Sequence, residues 1–176
     1  MARRESIAER RERRAAVDDV GTVLEAAARM LETRSRSIAE VRRRLTSAGY
    51  PAALVEKAIT RLVELGLLDD HAFAAGWVQS RDRTRPRGEH ALRHELESKG
   101  VDQALIDETL GERADASVEA DLDVDRARRL IERRLPSLMR EADPRRRRQK
   151  AYALLARNGF PPDVAADVST AVVGDD

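Results

Sequence analysis

One short pattern recurs three times along the chain: Leu45-x-x-x-Gly49-Tyr50, Leu96-x-x-x-Gly100-Val101 and Leu155-x-x-x-Gly159-Phe160. A leucine four residues ahead of a glycine, with an apolar residue after it, is how an amphipathic helix runs into a left-handed stop. The flanks agree with that reading. Eight residues before each glycine stand Val41, Leu92 and Ala151; five and six after it stand Leu54 and Val55, Leu105 and Ile106, Val164 and Ala165. Further on, Leu62 and Val63 match Val172 and Val173, while Arg113 and Ala114 interrupt the stripe of the middle copy. Each copy therefore reads as a helix, a glycine stop and a second helix.

The punctuation around the copies places more helices. Ser37-Ile38-Ala39-Glu40 reads as a capping box that opens a helix carrying Val41 and Leu45. Gly49 ends that helix, Pro51 lies in the first turn of the next, and Gly66 stops it. Asp69 or Asp70 caps a further helix bearing Phe73 and Trp77, the four being assigned to capping and core, and the helix runs to about Arg83 before Pro86 and Gly88. Gly76 inside it costs about 1 kcal/mol relative to Ala, which a close helix crossing would explain. A helix precedes each pair, over about 18–32, 70–83 and 117–135.

The expected fold is thus all-α, with three tandem three-helix repeats over 17–66, 67–114 and 115–173. One such unit is too small to bury its apolar face alone, so neighbours must stack into an elongated, curved array. Residues 1–16, dense in Arg and Glu, are expected to be a frayed helix or disordered, and 174–176 to form a loose tail. Composition supports helices with aliphatic cores: aromatic residues make up 3% and charged residues 37%. No apolar run approaches the length of a membrane span, and the basic N-terminus is not followed by the apolar stretch of a signal peptide, so a cytoplasmic location is expected. With no cysteine there is no disulfide, thiolate zinc site or thiol nucleophile.

Catalytic and nucleotide motifs are missing: there is no G-x-x-x-x-G-K loop, no G-x-S-x-G elbow and no H-E-x-x-H helix. His90 and His94 are spaced to share a metal, but a convincing third and fourth ligand is lacking, so no metal and no cofactor are expected. The chain reads as a binding protein, not an enzyme. Its charge is segregated: residues 102–125 hold nine acidic residues against the single Arg113, and residues 126–150 hold 11 basic against three acidic, within a net charge of +1. Such blocks suit a partner with a field of its own.

Basic residues also recur at one position of each copy: Arg42, Arg43 and Arg44; then Arg87, Arg93 and Lys99; then Arg145, Arg146, Arg147 and Arg148. Stacked units would align them into a positive stripe, able to follow phosphates or an acidic protein face. Gly49, Gly66, Gly100 and Gly159 are the structural stops. A helix-turn-helix-like protein acting on duplex DNA is the competing expectation, because three-helix units with exposed arginines suit a groove.

The stretch Leu65-Gly66-Leu67-Leu68-Asp69-Asp70, followed by Phe73-Ala74, Trp77-Val78 and Arg81, resembles the central signature of the RecX regulatory proteins. Arg87-Gly88, Leu92-Arg93, Glu95-Leu96 and Lys99-Gly100-Val101 are similar to that family's second unit, and Leu154 through Pro161 to its third. The resemblance covers about 34–173. It implies a chain, expected to be monomeric, that binds RecA and its nucleoprotein filament on single-stranded DNA and modulates, usually negatively, recombination, ATP hydrolysis and SOS co-protease action. It leaves open whether DNA is touched directly.

Overall fold

In the computed structural model, which describes residues 5–118 and 122–173, every regular element is helical. The elements are α1 (Ile7–Ala15), α2 (Val20–Thr33), α3 (Ile38–Ala48), α4 (Ala52–Glu64), α5 (Asp70–Thr84), α6 (Glu89–Ser98), α7 (Gln103–Val118), α8 (Leu122–Leu138), α9 (Pro144–Arg157) and α10 (Pro162–Val173). The chain forms two compact units: residues 1–73 with 99–101, and residues 74–98 with 102–176. The division falls inside α5 and so does not follow the repeat boundaries.

In the first unit α2, α3 and α4 pack together, and the spacing of their apolar residues sets what is buried: Val23 and Ala27 from α2, Val41 and Leu45 from α3, Val55, Ile59 and Leu62 from α4. In the second unit α8, α9 and α10 enclose Ala127, Ile131, Leu155, Phe160 and Val168, while Leu92, Leu96, Ile106 and Leu110 of α6 and α7 are also buried.

The four stop glycines, Gly49, Gly66, Gly100 and Gly159, all have positive φ, between 67° and 102°. Three of the turns share a second property: each is seated against another helix. A Cβ built on Gly100 would lie 2.5 Å from the Cβ of Ala39 in α3, and one on Gly159 would collide with the backbone of Ala91 in α6. Beside each seat, the carbonyl ahead of the glycine finds a donor just before that helix. Ser37 Oγ donates to the Lys99 carbonyl at 2.6 Å, and the Gly88 amide donates to the Asn158 carbonyl at 2.9 Å. These carbonyls close helices, so the contacts satisfy acceptors that would otherwise lack partners.

Several local expectations are corrected. Residues 7–15 form a helix, opened by a reciprocal capping box between Ser6 and Glu9; residues 1–4 and 174–176 lie outside the described residues. At α3 only half of the expected box forms: Ser37 Oγ accepts from the Glu40 amide at 3.1 Å, but the Glu40 carboxylate turns to arginines. Asp69 and Asp70 divide the capping between two helices. Asp69 caps α5 through the His71 and Ala72 amides at 2.8 and 3.1 Å, whereas Asp70 accepts from the Ile38 amide of α3 at 2.9 Å. Gly76 faces open space and no helix crossing. The helix expected from residue 117 begins instead with α8 at Leu122, because α7 runs on to Val118. Phe73 is buried, but Trp77 is only half-buried.

Candidate partner-binding surface

In the first unit the arginine triple of α3 is divided by its neighbours. Arg42 is held by Glu56 of α4 through two bonds of 2.7 and 3.0 Å, and that pairing, chiefly the hydrogen bond, holds the Glu56 carboxyl below its usual range. Arg44 Nε donates to Glu40 Oε1 at 3.1 Å. Arg43 is exposed and has no ion pair among the described residues.

Glu40 is the electrostatic centre of this unit. Its Oε1 accepts from Arg44, from Arg36 at 2.6 Å and from Arg34, three guanidinium groups on one oxygen. Burial pushes the carboxyl up, but the three hydrogen bonds outweigh it and hold the group below the usual carboxylate range. Arg36 is itself buried and is fixed further by the Met30 carbonyl at 3.0 Å. One carboxylate among three cations leaves the cluster net positive. Sequence reasoning missed Arg34 and Arg36; the spacing Arg36-x-x-x-Glu40-x-x-x-Arg44, one helical turn each way, was the available signal. Nearby, Leu65 and Leu67 are 52% and 58% exposed, whereas Leu68 is buried. Lys99 enters the unit through its carbonyl on Ser37.

In the second unit most of the expected contact residues serve internal pairing. Arg87 is half-buried, donates to Asn158 Oδ1 and lies 3.3 Å from Glu95. Glu95 also accepts from Trp77 Nε1 at 2.8 Å and from Arg81 Nε at 2.7 Å, with the Arg81 guanidinium stacked 4.5 Å from the Trp77 ring. The aromatic residue expected in the core is thus part of a surface polar cluster. Arg93 is paired with Asp107 and Glu89. Arg147 is 8% exposed and donates to the Glu141 carbonyl at 3.1 Å, which removes it from any partner-facing surface.

What α9 does present is one face: Arg146, Gln149, Lys150, Ala153 and Arg157 line a single open cavity, and Arg145 is exposed beside it. Arg148 is half-buried. Arg157 was missed because reasoning from clusters favoured the run 145–148, while its helical spacing from Arg146 and Lys150 puts it on the exposed side. His90 and His94 line a surface pocket with Arg87, Glu95 and Arg157, so the carboxylate lining it is already engaged by Arg87 and Arg81. The interruption at Arg113 also has a cause. Arg113 is buried, donates to Asp82 at 3.1 and 3.2 Å, and with Arg126 and Asp123 forms a buried ionic network joining α5, α7 and α8.

Comparison with known proteins matches this arrangement domain by domain. The family models for the first, second and third three-helix domains of RecX match residues 24–62, 69–110 and 121–168. The chain is 37% identical over 145 residues to "Regulatory protein RecX" of Mycobacterium sp. (strain JLS), covering 81% of this chain and 76% of that protein. It is 37% identical over 140 residues to the protein of the same name from Mycobacterium ulcerans (strain Agy99), covering 80% and 78%. In fold it is similar to the crystal structure of RecX from Lactobacillus salivarius, with a TM-score of 0.71 and 23% identity over 86% of this chain and 94% of that one. A second crystal structure, of a regulatory protein RecX, gives a TM-score of 0.73 over 85% of this chain and 72% of that one at the same identity. With all three domains present in order and the relatives spanned over most of their length, the chain belongs to the RecX family of regulatory proteins.

Proposed function

We propose that this chain binds RecA and the filament that RecA forms on single-stranded DNA, and that it modulates, chiefly by inhibition, the recombinase, ATPase and co-protease activities of that filament. The observation that carries the reading is the match of all three RecX domains in sequence order, joined to relatives named as regulatory proteins. The physical features are compatible with it. Arg43 in one unit, and Arg145 and Arg157 in the other, offer cations to an acidic surface, whereas Lys150 and Arg146 are engaged by Glu141 and Asp143. The exposed Leu65 and Leu67 suit a protein partner better than a phosphate backbone. Contacts distributed over several domains reinforce one another through effective concentration even where each is weak. Inhibition then needs no chemistry by this chain, only occupancy that hinders the filament's conformational cycle or subunit addition.

The test is RecA ATPase on single-stranded DNA with this protein titrated in below stoichiometry. Activity is expected to fall, and Arg43→Glu combined with Arg157→Glu is expected to raise the required concentration about tenfold. Unchanged inhibition by the double variant removes these two cations from the interface. Binding to naked duplex, naked single strands and RecA-coated single strands at two salt concentrations separates the readings, because strongest binding to naked duplex with a steep salt slope would overturn the filament proposal.

A further inference from the structure

The seated stop turns supply an inference that does not depend on RecA. At Gly100 and Gly159 the turn rests on the start of a helix from the preceding repeat. At Gly49 the occupant is different: α1, whose Arg11 backbone carbonyl would lie 3.0 Å from a Cβ on Gly49. The carbonyl ahead of the glycine again finds a donor, here Arg14, whose Nη1 reaches the Ala48 carbonyl at 3.4 Å and whose guanidinium lies 5.6 Å from the Tyr50 ring. So α1 occupies a repeat-to-repeat seat without being a repeat.

It holds that seat weakly. Not one residue of α1 is buried, and Ile7, its largest apolar side chain, is 80% exposed. A nine-residue helix is also shorter than the ~12–15 residues at which isolated helices become even marginal in water, so once released it would not persist as a helix. A helix start at the matching repeat position exists elsewhere on the molecule. α9 is the second-helix start of the third repeat, corresponding to the starts of α3 and α6 in the first two, and no stop turn is seated on it among the described residues. Its first turn carries the exposed Arg145 and Arg146, guanidinium groups of the kind that the Ala48 carbonyl and Tyr50 ring already accept from Arg14.

We propose that α1 is a detachable cap on a self-association seat formed by Ala48, Gly49 and Tyr50, and that the occupant which replaces it is the first turn of α9 in a second copy of this chain. The contact takes the place, between molecules, of the seat that joins successive repeats within one, with Arg145 and Arg146 meeting the turn as Arg11 and Arg14 of α1 do rather than as Ala39 and Ala91 do. It is heterologous, since turn meets helix start and not its own copy, so the product is a head-to-tail chain and not a closed dimer. With α1 in place the protein stays monomeric.

Sedimentation velocity on the full chain tests this. The unaltered protein should sediment as a monomer at all concentrations; association without alteration would deny α1 the role of cap. Arg10→Pro removes the amide that donates to the Ser6 carbonyl at 3.1 Å and breaks α1 in its middle. It should give a sedimentation coefficient that rises over a roughly hundredfold range of concentration, as a newly exposed weak interface requires. Adding Arg145→Glu and Arg146→Glu should return it to monomer. A monomeric Arg10→Pro protein, or association that survives the charge reversal, would overturn the proposal. If Arg10→Pro loses more helix by circular dichroism than α1 contributes, Arg14→Glu takes its place under the same expectations. Hydrogen exchange on the unaltered chain is independent of any variant: amides of α1 should exchange at least about tenfold faster than those of α3 and α4, and equal protection would refute detachment.

Discussion

Glu40 carries the largest electrostatic burden of any single side chain in the first unit. It is almost fully buried, its Oε1 serves three arginines, and its Oε2 has no hydrogen-bond partner. Glu40→Gln would leave Arg36 buried without a counter-charge, so a loss of about 3 kcal/mol in urea unfolding at pH 7 is expected, the range for breaking one half of a buried pair. Because the folded carboxyl titrates below its unfolded value, its contribution is present above the unfolded pKa and lost as pH falls through the folded one. The difference between wild type and Glu40→Gln should therefore shrink in acid, and a pH-independent difference would assign the effect to packing. Asp70 acts in the opposite sense: burial, with the neighbouring Asp69 charge, holds its carboxyl above the usual range against the lowering effect of the Ile38 amide. Its protonation on acidification favours the folded state. None of this pairing is visible in a run of arginines. Arg42, Arg43 and Arg44 are chemically identical in sequence, yet one is locked to Glu56, one has no ion pair among the described residues and one joins Glu40.

At the scale of elements, the same residue type has opposite effects according to where its backbone sits. Gly159 has φ of 81° and lies against the Ala91 backbone, so Gly159→Ala combines a left-handed penalty with a steric clash. It should cost about 2 kcal/mol or more. Gly76 lies inside α5 with open space around it, so Gly76→Ala should stabilise by about 1 kcal/mol. Thermal unfolding of the two variants checks both signs, and a destabilising Gly76→Ala would mean that the position is constrained by something other than helix propensity. Helix starts and stops were legible because caps and glycine turns act within a few residues of themselves. The ends of α7 and α8 were not, because the expected break near 117 had no glycine or proline to enforce it. For α1 the charge pattern left a frayed helix and disorder both open; the Ser6 and Glu9 box places a helix over Ile7–Ala15 through a local stop that composition does not weigh.

For the molecule as a whole, two units with their own buried clusters predict a stability that is not shared evenly. Leu155→Ala, which removes a fully buried side chain from the second unit, should cost about 3 kcal/mol and raise hydrogen exchange in α8, α9 and α10 more than in α2, α3 and α4. Equal deprotection of both groups of helices would mean that the chain unfolds as one cooperative body.

Helical class, the three repeats and the four left-handed stops are all legible along the chain, because apolar period, capping and positive φ are properties of short stretches of it. The sequence also carried the family resemblance. Which charges are left exposed is set instead by packing. Arg147 is buried, Arg42 and Arg93 are neutralised and Arg157 is presented, because an arginine's fate depends on acids and carbonyls brought to it from elsewhere in the chain. The dual use of Asp69 and Asp70, and the seating of stop turns on other helices, have the same origin: a hydrogen bond between residues 38 and 70, or between 37 and 99, exists only once distant segments are packed together.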